Sequence, residues 1–439
     1  MKLTKNQANL IYDWYINIKD LHMRLEKDSE LSLGRSEYQR DYARILYSSS
    51  FRRLQGKTQF LGISSDKFFR NRLTHSLEVS QIAVGIAQKL NYSLKQLIGK
   101  EIYNMEDIFV LQSAAIAHDL GHSAFGHNGE EVLNNIAANS GLKEGFESNA
   151  QTLRILMNLE KKNPTFKGLN LTLRTLLSVV KYFKPFSYDS PKSLYQYNFD
   201  LLKTNIEKYN LSNYMRTLDV QIVDVADEIA YSVHDLEDCL NLNIFTIDEL
   251  LYEFFIWANT PERTKAYEIL LTIVEESKEF ARKSSIYQNL EEYKTIFNKS
   301  LVSKLVDFLI DDISLVTITK DKKEIFGTYS QLQLGFKDYP YLAIGLKELV
   351  FKCLQRDQRI KEYRAKGKIV LEKLFYFYKE NPNLMSFEFW EKYKSIKTHA
   401  KDGKYRVILD YLAGMMDPFA FAEFEKYFGE LKLGKEKRG

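Results

Sequence analysis

An all-α fold is what this sequence predicts, on three counts. Prolines are few, 7 in 439 residues, so little interrupts a helical backbone. Leu, Lys, Glu, Ile and Ala fill long periodic segments, and most of these are strong helix formers. Hydrophobic residues make up 45% of the chain, ample for a sizeable core. At this length two or three domains are expected, or one large one with appended helices.

Charge and cysteine usage narrow the function classes. A formal net charge of +4 is too small to argue nucleic-acid binding from composition. Cys239 and Cys353 are the only cysteines and neither has a CxxC partner, which argues against a disulfide scaffold and a thiolate zinc site and fits a reducing cytoplasm. The first twenty residues, MKLTKNQANLIYDWYINIKD, lack the apolar core and small-residue cleavage site of a signal peptide. Residues 250–258 (LLYEFFIWA) are too short to span a bilayer and carry Glu253. A cytoplasmic protein without a membrane partner is expected.

Taken in order, residues 5–26 are amphipathic with aromatics among charges, and residues 30–38, with Gly34, read as a loop. In residues 39–60 (QRDYARILYSSSFRRLQGKTQF), Ile45, Leu46, Phe51 and Leu54 can face a core while Arg40, Arg44, Arg52, Arg53 and Lys57 cluster. That cluster is either a solvated face or, because its guanidiniums interleave with Ser48, Ser49, Ser50 and Gln59, a phosphate contact. Residues 71–90 (NRLTHSLEVSQIAVGIAQKL) form a helix whose stripe is Val79, Ile82, Ala83, Ile86 and Leu90. His75 lies one turn before Val79 and so points inward. A lone inward histidine is more often a satisfied core residue than a ligand.

Residues 107–117 (DIFVLQSAAIA) read as a buried helix, broken after it by Gly121 and Gly126, with Asn128 and Glu131 resembling a cap that opens the next helix. Residues 117–131 (AHDLGHSAFGHNGEE) concentrate His118, Asp119, His122, His127 and Glu130. Imidazole with carboxylate suits a first-row transition metal better than Ca²⁺, although one His-Asp pair alone is usually structural. Residues 171–186 (LTLRTLLSVVKYFKPF) predict a helix packed by Leu173, Leu176, Leu177 and Val180 and ending near Pro185, with Lys181 and Tyr182 at its end. Residues 187–209, rich in Tyr, Ser, Asn and Lys, suggest an inserted loop.

The helix over residues 219–240 (DVQIVDVADEIAYSVHDLEDCL) carries the stripe Ile222, Ala226, Ile229, Val233, Leu236 and Leu240. Asp227, Tyr231 and Asp235 recur every fourth residue on its flank, and carboxylates half-buried there need partners. Two or three amphipathic helices follow over residues 246–310, around Thr260 and Pro261. Cations accumulate over residues 347–368, as a solvated face or as the contact for an anionic effector, a nucleotide or single-stranded DNA. Residues 407–428 form a last apolar-aromatic helix pair that closes the core or packs subunits.

His75, His118, Asp119 and Asp227 thus supply two imidazoles and two carboxylates from three helices, the way a helical bundle builds a metal site. A divalent ion there would lower the pKa of bound water, and a nearby histidine has the proton affinity to serve the leaving oxygen. Arg72, Lys181 and members of the Arg52/Arg53 cluster are placed to neutralise phosphates.

The order H…HD…D, with the words RDYARILYSSSFRRLQGKTQF, NRLTHSLEVSQIA, AHDLGHSAFGHNGEE and VADEIAYSVHDLED, resembles the HD superfamily and, more narrowly, the dGTPase-like deoxynucleoside triphosphate triphosphohydrolases. That resemblance implies an N-terminal helix and loop (1–38), an HD-domain helical core (39–241) and a helical C-terminal region (242–439) for effector binding or assembly. It implies one divalent metal per site on His75, His118, Asp119 and Asp227, with Mn, Mg, Fe, Ni and Zn all compatible. It gives His127 and Glu130 as the acid–base pair, His122 as a further active-site histidine, and Gln59, Tyr231 and Asp235 as sugar contacts. The implied reaction releases deoxynucleoside and inorganic triphosphate from a dNTP, with dGTP favoured. A homo-oligomer, such as a hexamer, and a dNTP or single-stranded DNA effector are implied as well. Two rivals remain: another HD nucleotide phosphohydrolase, and a catalytically silent nucleotide- or DNA-sensing regulator. The sequence departs from the family at Phe183, where Lys-Tyr-Pro is usual, and at Pro418, where an Arg often follows the aspartate.

Overall fold

Helix begins wherever a capping side chain meets an apolar period. The computed structural model describes residues 1–28, 34–59, 70–190, 192–283, 289–397 and 400–431. Its first half contains α1 (Lys5–Ile18), α2 (Glu37–Leu46), α3 (Ser49–Arg53), α4 (Arg72–Ile98), α5 (Met105–Ala117), α6 (Gly126–Asn139), α7 (Ser148–Arg154), α8 (Leu173–Val179), α9 (Gln196–Lys208) and α10 (Leu218–Asn241). The second half contains α11 (Ile247–Trp257), α12 (Pro261–Arg282), α13 (Leu290–Asp312), α14 (Lys320–Phe326), α15 (Pro340–Leu354), α16 (Gln358–Glu380), α17 (Phe387–Ser395), α18 (Lys401–Ala413) and α19 (Asp417–Phe428). The all-α class holds. Among the described residues, no helix is long and apolar enough to cross a membrane.

Three helices carry the centre. Asn71 and Asn104 close reciprocal capping boxes at the starts of α4 and α5, and Thr217 caps α10. The stripe of α4 is buried, as is that of α10 from Ile222 to Leu236. Ala114, Ala115 and Ala117 on α5 let the three helices approach closely. Arg174 of α8 is fully buried beneath them and is held by Asp107 of α5 and Asp219 of α10. Removing either carboxylate would leave buried guanidinium N–H groups without an acceptor, a loss of about 1–3 kcal/mol.

A second apolar cluster joins the first half to the last. Val132, Leu133 and Ile136 on one face of α6 pack with Val370, Leu371 and Phe375 of α16, Leu409 and Leu412 of α18, and Phe424 of α19. The C-terminal helices therefore grip the element that follows the His-Asp pair.

Four local expectations are corrected. Residues 196–208 form α9 rather than loop, because Leu202 and Ile206, four apart, are both buried; the polar composition around them hides that pair. Helix α8 stops at Val179, well before Pro185, as the chain turns out to donate the Phe183 N–H to the Phe326 carbonyl at 3.0 Å. Helix α6 starts at Gly126 with no side-chain cap, and Asn128 Nδ2 instead donates to the Arg364 carbonyl at 3.0 Å. A small antiparallel pair, β1 (Ile313–Thr317) and β2 (Leu332–Phe336), interrupts the helices, with Ile313 opposite Phe336. Residues 30–33 and 191 of the expected loops, and Phe60 at the end of the cationic stretch, lie outside the described residues.

Candidate active site

His75 projects from the first turns of α4, His118 caps the C-terminus of α5 with Asp119 directly after it, and Asp227 lies in the third turn of α10. The backbone of His118 continues α5, and its Nδ1 sits 2.6 Å from the Ala115 carbonyl. That contact makes Nδ1 the donor and turns Nε2 toward the carboxylates. His118 Nε2 lies 3.4 Å from Asp119 Oδ1 and 3.5 Å from Asp227 Oδ1, while His75 Nε2 lies 3.0 Å from Asp227 Oδ1. The ligand-capable atoms of His75, His118 and Asp119 fall within 4.8 Å of one another.

The electrostatics fit a cation. Burial alone would lower the His118 imidazole, but Asp119 and Asp227 outweigh it and push it up to about 9. Burial opposes ionisation of Asp119 as well, yet His122, Arg72 and His118 hold it well below the usual carboxylate range. Asp227 is likewise held low against burial by His118 and His75. His118 Nε2 is buried and makes no hydrogen bond among the described residues, so one ligand position points inward unsatisfied there. Two imidazoles with two carboxylates suit a first-row divalent ion, and the set fits that ion without a thiolate.

Around this set lies a cavity of about 480 Å³. It is lined by His75, His118, Asp119, Asp227, His122, His127, Glu130, Gln59, Arg72, Lys181 and Tyr231. Arg72 is buried at 2% exposure and donates from Nη1 to Asp119 Oδ2 at 2.7 Å. His122 Nδ1 approaches Asp119 Oδ1 at 3.0 Å, and its ring meets that of His127 with centroids 5.4 Å apart. The imidazole of His122 is held below its ordinary value by burial and by Arg72. His127 is largely exposed to the cavity, with Nδ1 3.6 Å from Glu130 Oε2, and Glu130 Oε1 accepts from the Ser148 N–H at 3.0 Å. Against burial, His127, His122 and Ser148 hold Glu130 below its ordinary value.

Two expected contacts are not in that cavity. Arg53 ends α3 on the far side of the His-Asp turn, where Nη2 donates to Ser49 Oγ at 2.9 Å and Nη1 faces the Gly414 carbonyl at 3.4 Å. It lines a separate cavity with Arg52, Lys161, Lys162 and Lys392, so Arg53 is not brought together with the His-Asp set. Asp235 is 2% exposed, one turn beyond Tyr231, and does not reach the wall. Burial, then the neighbouring Asp238, raise its carboxyl well above the ordinary value. Lys181 does line the cavity but is already paired with Asp224, which also binds Arg216 Nη2. That pairing raises the ammonium above its ordinary value despite burial.

Sequence reasoning missed Glu147 and Lys347. Glu147 caps α7, accepting from the Ala150 N–H at 2.7 Å, and its burial beside Glu130 pushes it up to about 8. Lys347 reaches in from α15 with Nζ 4.9 Å from the Tyr231 ring centre. It opens the cationic stretch 347–368, whose members Lys352 and Arg356 instead pair with Glu253 on the surface.

The pattern described as "HD domain" matches residues 72–232, and that described as "Phosphohydrolase-associated domain" matches residues 343–426. The chain is similar to the deoxyguanosinetriphosphate triphosphohydrolase-like protein 2 of Vibrio cholerae, 39% identical over 98% of this chain and 96% of that one. It is 32% identical to the deoxyguanosinetriphosphate triphosphohydrolase-like protein of Geobacter sulfurreducens, over 90% of this chain and 89% of the relative. A relative of Deinococcus radiodurans, deoxyguanosinetriphosphate triphosphohydrolase-like protein 2, is 32% identical over 90% and 93%. With its His-Asp pair inside the matched region and this likeness running nearly end to end, the chain belongs to the HD-domain family of deoxyguanosinetriphosphate triphosphohydrolase-like proteins.

Proposed function

We propose that this protein is a metal-dependent triphosphohydrolase that cleaves dNTPs, dGTP foremost, to deoxynucleoside and inorganic triphosphate. The observation that carries the reading is the convergence of His75, His118 and Asp119, with Asp227 Oδ1 3.0 and 3.5 Å from the two imidazoles and His118 Nε2 buried without a hydrogen bond among the described residues. A divalent cation, which these four residues would hold, would supply a Lewis acid for the α-phosphate and lower the pKa of its water. The names of the relatives, and the span of the likeness, favour a nucleoside triphosphate as substrate.

The chain's own side chains divide the remaining work. Arg72, anchored on Asp119, offers its Nε edge, unpartnered among the described residues, to a phosphate, and Lys347 adds a cation from α15. His127 holds a proton for the 5′ oxygen that leaves, and Glu130 orients its ring through Nδ1. Tyr231 forms the wall against which a sugar ring packs, and Gln59, whose Oε1 is buried without a partner among the described residues, accepts from a sugar hydroxyl. Asp235, lying behind Tyr231, takes part only if the side chains shift on binding. The His127–Glu130 pair argues against a catalytically silent regulator.

Product chromatography after incubation with each dNTP and with Mn²⁺ or Mg²⁺ tests the proposal. Intact triphosphate appearing with equimolar deoxynucleoside is the expected result. Orthophosphate or pyrophosphate would move the chain to another class of HD nucleotide phosphohydrolase. No turnover with any metal would leave a nucleotide-sensing role.

A further inference from the structure

The turn that delivers His127 is strained, and the C-terminal helices hold it. Phe125 has φ of +63°, a left-handed conformation that a bulky side chain adopts at a cost, and Gly126 follows at +59°. Such a conformation persists only where its surroundings fix it. The ring of Phe125 meets Phe421 of α19 at 5.0 Å and Tyr363 of α16 at 5.7 Å between centroids. A Cβ on Gly367 of α16 would come within 2.6 Å of Phe125 Cγ, so only glycine allows α16 this close.

One carboxylate ties that turn to a second active-site segment. Asp417, 1% exposed at the start of α19, accepts from the Phe125 N–H at 2.9 Å through Oδ1, and from the Thr58 N–H at 3.0 Å and the Tyr363 hydroxyl at 2.7 Å through Oδ2. Thr58 immediately precedes Gln59. Lys57, also buried, donates to the Ala413 carbonyl at 2.9 Å and to the His122 carbonyl. A Cβ on Gly56 would meet Met416 Sδ at 2.5 Å, so the Gly56 backbone packs directly against the Met416 side chain.

We propose that the turn joining α18 to α19, through Asp417 with Tyr363 beside it, is a positioning element that fixes Gln59 relative to His127 and so sets discrimination at the sugar. Asp417 touches neither substrate nor metal; it acts through two backbone N–H groups. The proposal rests on the triphosphohydrolase reading for its substrate but not for its geometry.

The test uses Asp417→Asn in the full chain. The amide keeps an oxygen for Phe125 but places an NH2 against Thr58, so the second anchor is lost while volume is kept. Amide hydrogen exchange at Thr58, measured without nucleotide, should rise by about tenfold or more. The ratio of kcat/KM for dGTP over GTP should fall by about tenfold, because a displaced Gln59 loosens the fit around the sugar and no longer helps exclude the 2′-hydroxyl of GTP. Tyr378→Phe, which removes a hydroxyl bonded to Glu423 in the same apolar cluster, should lower Tm and leave that ratio unchanged. Should Asp417→Asn fail to fold, Tyr363→Phe, which removes one of the three donors, should shift both readouts in the same direction by about threefold. Unchanged exchange at Thr58, an unchanged substrate ratio, or an equal shift in Tyr378→Phe would each overturn the proposal. A wild-type enzyme that releases no triphosphate would defeat the reading of function instead, and the exchange measurement would still decide the geometry.

Discussion

Replacing Glu147 by Gln should stabilise the protein, and more so as pH rises. Glu147 is 4% exposed, with its carboxyl beside Glu130, and these two causes move it from the ordinary 4.5 to about 8. Between those values the folded chain binds a proton that the unfolded chain does not. Stability therefore falls as pH rises through that window, and the full penalty stands above it. At about 1.4 kcal/mol per pH unit, the interval bounds the effect at about 5 kcal/mol. The variant cannot ionise. Its amide oxygen still accepts from the Ala150 N–H, and Asn149, now a donor to Glu147, can turn its own amide to accept from the new NH2. Urea unfolding of both proteins at about pH 5 and about pH 9 checks this: the variant should gain little at the acid end and several kcal/mol at the alkaline end. A difference that is constant with pH, or that shrinks as pH rises, would refute the assignment of a neutral buried carboxyl.

Three further outcomes are expected. His127→Ala should lower kcat by about 100-fold or more with little change in KM, since the proton it holds matters in the transition state; steady-state kinetics decide this. Arg72→Met should raise KM by about tenfold or more and, without metal, lower stability by up to about 3 kcal/mol because buried Asp119 loses one of its cationic partners; thermal unfolding should show added Mn²⁺ recovering most of that loss. Gly121→Ala puts a Cβ 2.0 Å from the Ser148 carbonyl oxygen and 2.3 Å from the Thr152 nitrogen, both rigid backbone. It should cost about 3 kcal/mol and push α7 from the His-Asp turn, measurable as a lower Tm.

Much of the site was legible because periodicity reports direction. His75 stands one turn from Val79, and Asp227 beside Ile229 and Ala226, so their inward aim follows from the apolar stripes. The corrections share a cause: each depends on a partner remote in sequence. Arg53 carries the same local pattern as a phosphate ligand, yet α3 directs it toward Gly414, 361 residues away. Lys181 looks free until Asp224 is folded beside it. Asn128 resembles a cap, but α6 opens from a left-handed Phe125 that local propensity disfavours and only the distant Asp417, Tyr363 and Phe421 make tenable. Helix α9 is polar enough that burial of Leu202 and Ile206 on one face decides it, and the apolar β1 and β2 are decided by pairing with each other across the intervening α14.

Metal content of the purified protein, compared with that of Asp227→Ala and His75→Ala, tests the central claim most directly. About one divalent ion per chain in the native protein, and loss of that ion in both variants with helical content retained, is the result this account requires. Variants that keep a full complement of metal would contradict it, because α4 and α10 would then contribute nothing to the ion that the His118–Asp119 pair is taken to share with them.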